Sequence, residues 1–123
     1  MAKTTAAVSI LAATSGAAGS TRAAPGVTGG WVDVRAYYGG ELGWGVKNGG
    51  SAPTVAGSLL IQTSPDNGTT VFDYHLVGGD TVANSDTTNS ISLGKAMYIR
   101  VLGYGNATNA VTYSAILQAV TGL

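Results

Sequence analysis

His75 is the one histidine of the chain, with Asp73 two positions before it and Ser64 further upstream. These are the residue types of a general base, an orienting carboxylate and a nucleophile. Alternation places His75 on a strand whose other side carries Phe72, Tyr74 and Leu76, and nothing in the spacing joins Ser64 to it. The plainer assignment is a surface or interface histidine. The acids are Asp33, Glu41, Asp66, Asp73, Asp80 and Asp86, and none forms the dense Asp/Asn loop of an EF-hand. Asp80 to Asp86 is a polar segment that suits a weak calcium contact or, more simply, a solvated loop. With one histidine and no cysteine, zinc and thiolate chemistry have no ligand set. Gly39 to Gly45 lacks the Lys/Ser pair and following helix of a phosphate-cradling loop. The expectation is a protein that is not an enzyme and carries no cofactor or metal.

Ser64-Pro65-Asp66-Asn67-Gly68-Thr69-Thr70 has a different meaning. It resembles the Asp-box hairpin, Ser-x-Asp-x-Gly-x-Thr followed by Trp, with Val71 here in the Trp position. In such a pattern the Asp side chain bonds turn amides and Gly supplies positive φ. In sialidase propellers the motif repeats and is structural; a single copy implies a hairpin. Asn67-Gly68-Thr69 and Asn106-Ala107-Thr108 match the glycosylation triplet, a frequent coincidence in a chain rich in Asn and Thr. Trp44 alternates with Leu42 and Val46 and reads as core. Trp31, beside Gly29-Gly30, reads as the better exposed anchor, able to meet a partner or stack on a sugar ring.

The elements that must position these residues are strands. Nineteen glycines among 123 residues leave few windows for a helix. Between them lie short alternating runs rich in Val, Ile, Thr and Tyr. Strands are expected at 6–12, 31–37, 42–46, 54–63, 71–77, 90–93, 96–104 and 110–120. About eight strands with turn signals between them predict an all-β, antiparallel β-sandwich or jelly-roll-like domain. Residues 1–28 read as an N-terminal strand and a Gly/Ala/Thr-rich arm, extended towards a neighbouring chain, and 29–123 as the sandwich. The last strand is apolar on both sides, so it is either central or covered by another subunit.

Composition narrows the function. Six Lys+Arg balance six Asp+Glu, and charged residues make up 10% of the chain, against roughly 25% in an ordinary soluble domain. A free surface with so little charge is poorly protected against self-association, which points to a surface covered by partners. There is no basic excess for nucleic acid and no apolar run of membrane-spanning length. The Ala/Thr-rich start is interrupted by Thr5, Ser9 and Thr14 and reads as mature sequence, not a cleaved signal peptide. Val8, Ile10, Arg22, Trp31, Ile116 and Val120 are the expected partner contacts.

The layout resembles small β-sandwich structural proteins of tailed bacteriophages, which decorate capsids or line necks and tails. The resemblance rests on the Asn48-Gly49…Ala52-Pro53-Thr54 turn, the Ser64-x-Asp66-x-Gly68 hairpin, the Tyr98-Ile99-Arg100-Val101 strand and the final Ala/Val/Thr strand, over roughly residues 28 to 123. It implies a homo-oligomer, often a trimer, bound in a virion to proteins such as the major capsid protein and assembled in the host cytoplasm. A capsid decoration or cement protein comes first, and a neck or tail component second. A carbohydrate-binding or adhesin module is the competing class; it requires Trp31 or tyrosines to cluster on an open sheet face.

Overall fold

The computed structural model describes residues 3–122; Met1, Ala2 and Leu123, the outer limits of the two expected segments, lie outside them. Nine strands follow in order: β1 (Thr4–Gly16), β2 (Val27–Thr28), β3 (Val32–Asp33), β4 (Gly40–Asn48), β5 (Ser58–Ser64), β6 (Phe72–Gly78), β7 (Asp86–Leu93), β8 (Tyr98–Tyr104) and β9 (Val111–Gly122). They form two antiparallel sheets, β1-β9-β4-β7 and β2-β8-β5-β6, with β3 also paired to β8. The fold is the all-β sandwich that the alternation predicts, and no helix is present among the described residues.

Alternation decides what lies between the sheets. Leu42, Trp44 and Val46 of β4, Leu59 and Ile61 of β5, Ile99 and Val101 of β8, and Val111, Tyr113, Ala115 and Leu117 of β9 form one buried cluster. Strand β9 is central in its sheet, flanked by β1 and β4; its alternate residues from Val111 to Ala119 are buried, while Ile116 on the other face stays exposed. Tyr113 is the largest fully buried side chain, and three glycines make room for it. A Cβ on Gly103 would stand 2.5 Å from the Tyr113 ring, one on Gly16 2.6 Å, and one on Gly57 would strike the hydroxyl.

Several elements depart from expectation for local reasons. The alternating run 31–37 forms a ladder only at Val32–Asp33. There the Asp33 carboxylate accepts from the Arg35 amide at 3.0 Å and turns the chain away from β8. Strand β7 begins at Asp86, ahead of the expected 90–93, because Thr87, Thr88 and Asn89 also pair along β4. The segment expected as an arm is laid along its own chain. Strand β1 pairs with β9 from Thr4↔Gly122 to Gly16↔Val111. Beyond it, the Gly19 amide donates to Asn106 O at 2.9 Å, and β2 joins β8. Ile10 and Val120, expected on a partner-facing surface, are 4% and 8% exposed and belong to the interior. Plain alternation puts Ile10 on the inward side with Val8, and the register shift between Ser9 and Leu11 brings Leu11 opposite Ala115 and onto the core as well.

Candidate interaction surface

The β5–β6 hairpin is closed by the Ser64–Thr70 turn. Asp66 Oδ1 accepts from the Thr70 amide at 2.6 Å, and Oδ2 accepts from the Thr70 hydroxyl at 2.7 Å. Ser64 Oγ accepts from the Gly68 amide at 2.8 Å and donates to Asp66 Oδ1 at 2.9 Å. These bonds, those from Thr70 foremost, hold the Asp66 carboxyl below the usual carboxylate range. Asn67 and Gly68 sit at φ 57° and 100°. At Gly68 a side chain would also strike the Trp31 indole, so glycine is required twice over. An indole therefore lies on this turn, supplied from a distant part of the chain. Ser64 is buried and committed to the turn, so the Ser64–His75–Asp73 grouping does not assemble.

The outer face of the second sheet carries a chain of polar side chains across three strands. Arg100 Nε donates to Gln62 Oε1 at 2.9 Å, and Gln62 Nε2 donates to Asp73 Oδ1 at 3.0 Å. Arg22 Nη2 completes the line on Asp73 Oδ2 at 2.5 Å. Gln62 first, then Arg22, holds the Asp73 carboxyl low. The Arg100 guanidinium lies 4.5 Å from the centroid of the Trp31 ring. Further along, Arg35 forms a bidentate pair with Asp33, at 3.0 and 2.7 Å, and lies 5.0 Å from the Tyr98 centroid. That pair brings the Asp33 carboxyl down to about 2. All three arginines of the chain thus share one face with Trp31 and Tyr98.

Trp31 is half-buried between Gly68 and Arg100, so it is part of this face and not a free platform. Arg22 is exposed and ion-paired. Val8 stands opposite Leu117 and packs against the core. Ile116 points outwards from the middle of β9 and is 52% exposed.

The side of the sandwich between β6 and β7 is open. A register shift between Ile61 and Gln62 breaks the alternation of β6, so the expected separation of Phe72, Tyr74 and Leu76 from Asp73 and His75 does not hold. Asp73 and Leu76 stand opposite Gln62 and Leu60, residues of the outer face; His75 stands opposite Ile61 of the core. Tyr74 Oη donates to Ser92 O at 2.6 Å and bridges the two sheets. Phe72, Tyr74 and Leu76 are 57%, 43% and 57% exposed on an edge strand. Phe72, Tyr74, Pro65 and Met97 line a groove of about 260 Å³ there.

The Asp80 loop is held by its own protein groups. Asp80 accepts from Ser85 Oγ at 2.6 Å, the Val82 amide at 3.0 Å and Asn48 Nδ2 at 3.0 Å, which leaves its oxygens engaged. No cluster of three potential metal ligands occurs among the described residues. Asn106 is fully buried, so its triplet is closed to modification in the folded chain.

Gln62, Arg100 and the exposed side chains of β6 were not singled out by sequence reasoning. Arg100 is a charged residue between Ile99 and Val101 of β8, and Gln62 ends the apolar run of Leu59, Leu60 and Ile61 in β5; those interruptions are the signal available for them.

No protein-family model matches the chain, and no curated protein matches it. A chain in the structure of the infectious bursal disease virus Gx strain is similar in fold, with a TM-score of 0.58 at 10% identity. The likeness covers 98% of this chain and 33% of that one, so this chain spans about a third of the length of its structural neighbour.

Proposed function

We propose that this chain is a structural subunit of a virus particle. More specifically, we read it as a capsid decoration protein of a tailed bacteriophage that binds as a homo-oligomer between capsid subunits. The observation that carries the reading is the edge strand β6, which exposes Phe72, Tyr74 and Leu76 in a chain only 10% charged. Exposed apolar side chains beside unpaired backbone groups make the kind of edge that monomers blunt with charge or proline. Asp73 is the one charged residue within β6, and its carboxylate is occupied by Gln62 and Arg22. Cover by another chain is the simplest way for such an edge to persist. The likeness in fold to a chain of a virus structure supports the same reading. A neck or tail position would use the same edge.

In this reading the chain has no catalytic role, and its single histidine is an edge-strand residue. The sugar-binding alternative is weakened by Trp31, one side of whose ring is taken by Arg100.

Size-exclusion chromatography with light scattering tests the proposal, using the wild type beside Phe72→Asp/Leu76→Asp. A discrete closed oligomer that dissociates in the variant, with the thermal unfolding midpoint retained, is the expected result. A monomeric wild type at near-physiological salt would overturn it.

A further inference from the structure

Of the twelve charged side chains, eight have a partner that engages the charge; Lys3, Lys47, Arg100 and Asp86 have none among the described residues. Asp33 and Asp73 are paired with Arg35 and Arg22. Asp66 is used by its turn, Asp80 by its loop, and Glu41 accepts from Ser92 Oγ at 2.7 Å. Lys95 donates to the Arg35 and Tyr37 carbonyls. Among the described residues, Arg100 is then the one arginine without a carboxylate. Its Nε is held by Gln62 and its plane by Trp31, while Nη1 and Nη2 have no acceptor among the described residues. Asp86 is likewise the one carboxylate among them with neither an ion pair nor a side-chain hydrogen bond. Lys47 is its cross-strand neighbour, yet no ion pair forms between them.

We propose that Arg100 of one copy receives the Asp86 carboxylate of a second copy, joining the outer face of the second sheet to the outer face of the first. The two groups lie on different sheets and cannot meet within one chain. A half-buried guanidinium that is already oriented loses little freedom on pairing, and its two free nitrogens match a carboxylate in bidentate geometry. Trp, Tyr and Arg on one face is also the composition of interface anchors. The exposed Ile116 stands on the same outer face as Asp86. Joining two different faces makes the contact heterologous, the kind that gives a ring where its rotation closes and a filament where it does not.

This inference rests on the assembly reading; it uses the outer face around Arg100, which reaches β6 at Asp73 and Leu76, and not the side of β6 where Phe72 lines the groove. The test is light scattering and sedimentation of Arg100→Glu, Asp86→Arg and the double variant. Each single reversal is expected to weaken association roughly tenfold or more, and the double variant to restore it. Asp86→Arg alters an exposed group with no side-chain hydrogen bond, so it keeps the test open if Arg100→Glu fails to fold. Association unchanged in Asp86→Arg, or no recovery in a folded double variant, would overturn the pairing. If at the same time the β6 variant still dissociates, the assembly reading stands without it.

Discussion

The hydroxyl of Tyr113 donates to the side-chain oxygen of Asn106 across 2.9 Å, and both side chains are fully buried. Asn106 in turn donates to Gly16 O at 3.2 Å and Asn109 O at 2.8 Å. One asparagine thus ties the end of β1, the β8–β9 loop and the core tyrosine together. Removing the hydroxyl strands a buried acceptor, so Tyr113→Phe should cost about 1–3 kcal/mol, read from denaturant unfolding. Burial pushes the Tyr113 hydroxyl up to about 12. Its folded value is above its ordinary 10.0, so the stability it contributes is present below pH 10 and lost as pH rises towards 12. Tyr113→Phe should remove that alkaline dependence.

Gly103→Ala tests the space around the same ring. A methyl group 2.5 Å from a ring carbon forces a shift in a packed interior, and overpacking of this kind costs about 1–3 kcal/mol. A thermal midpoint equal to wild type would mean that the ring has room to move.

Acid should weaken the fold through its turns. The Asp33, Asp66, Asp73 and Asp80 carboxyls are all held below their ordinary value of 3.8 by hydrogen bonds or arginine. A lowered folded value contributes stability that is present above about pH 4 and lost as pH falls towards 2. Asp66→Asn should lower the midpoint at pH 7 and flatten the acid slope, measured by circular dichroism from pH 2 to 7.

Trp31→Ala distinguishes an anchor from a packing residue. Stacking on Arg100 and cover for Gly68 predict a loss of about 1 kcal/mol in stability. A variant of unchanged stability that loses binding to a glycan array would instead favour the sugar-binding class.

Much of the sandwich was legible because period-two alternation is a direct record of which side faces the core. Leu42, Trp44 and Val46, and Val111 to Leu117, lie where their spacing put them. The turn at Ser64–Thr70 was legible because its chemistry is local. What was hidden depends on partners far along the chain. Nothing in Thr4–Gly16 announces that β9 completes it, and Ile10 looked like a contact residue for that reason. Asp73, Gln62 and Arg100 are brought together only by the pairing of β5 with β6 and β8, and Arg22 by the docking of the segment before β2. The exposure of Phe72 and Leu76 follows from β6 being an edge, which alternation alone does not encode.

Ile10→Ala measures how much β1 belongs to the fold. As a core residue it should cost about 2–5 kcal/mol, whereas a residue of a loose arm would cost almost nothing.

The pairing of β1 with β9 also bears on the order of events in folding. The strand made first finds its partner only when nearly all the rest of the described chain is in place, a long-range closure that slows folding towards milliseconds or seconds. In that interval β9 offers an open edge to any β1 nearby, including one from another molecule. Refolding at high concentration should therefore give interlinked chains with exchanged first strands, and refolding at low concentration should give chains closed on themselves.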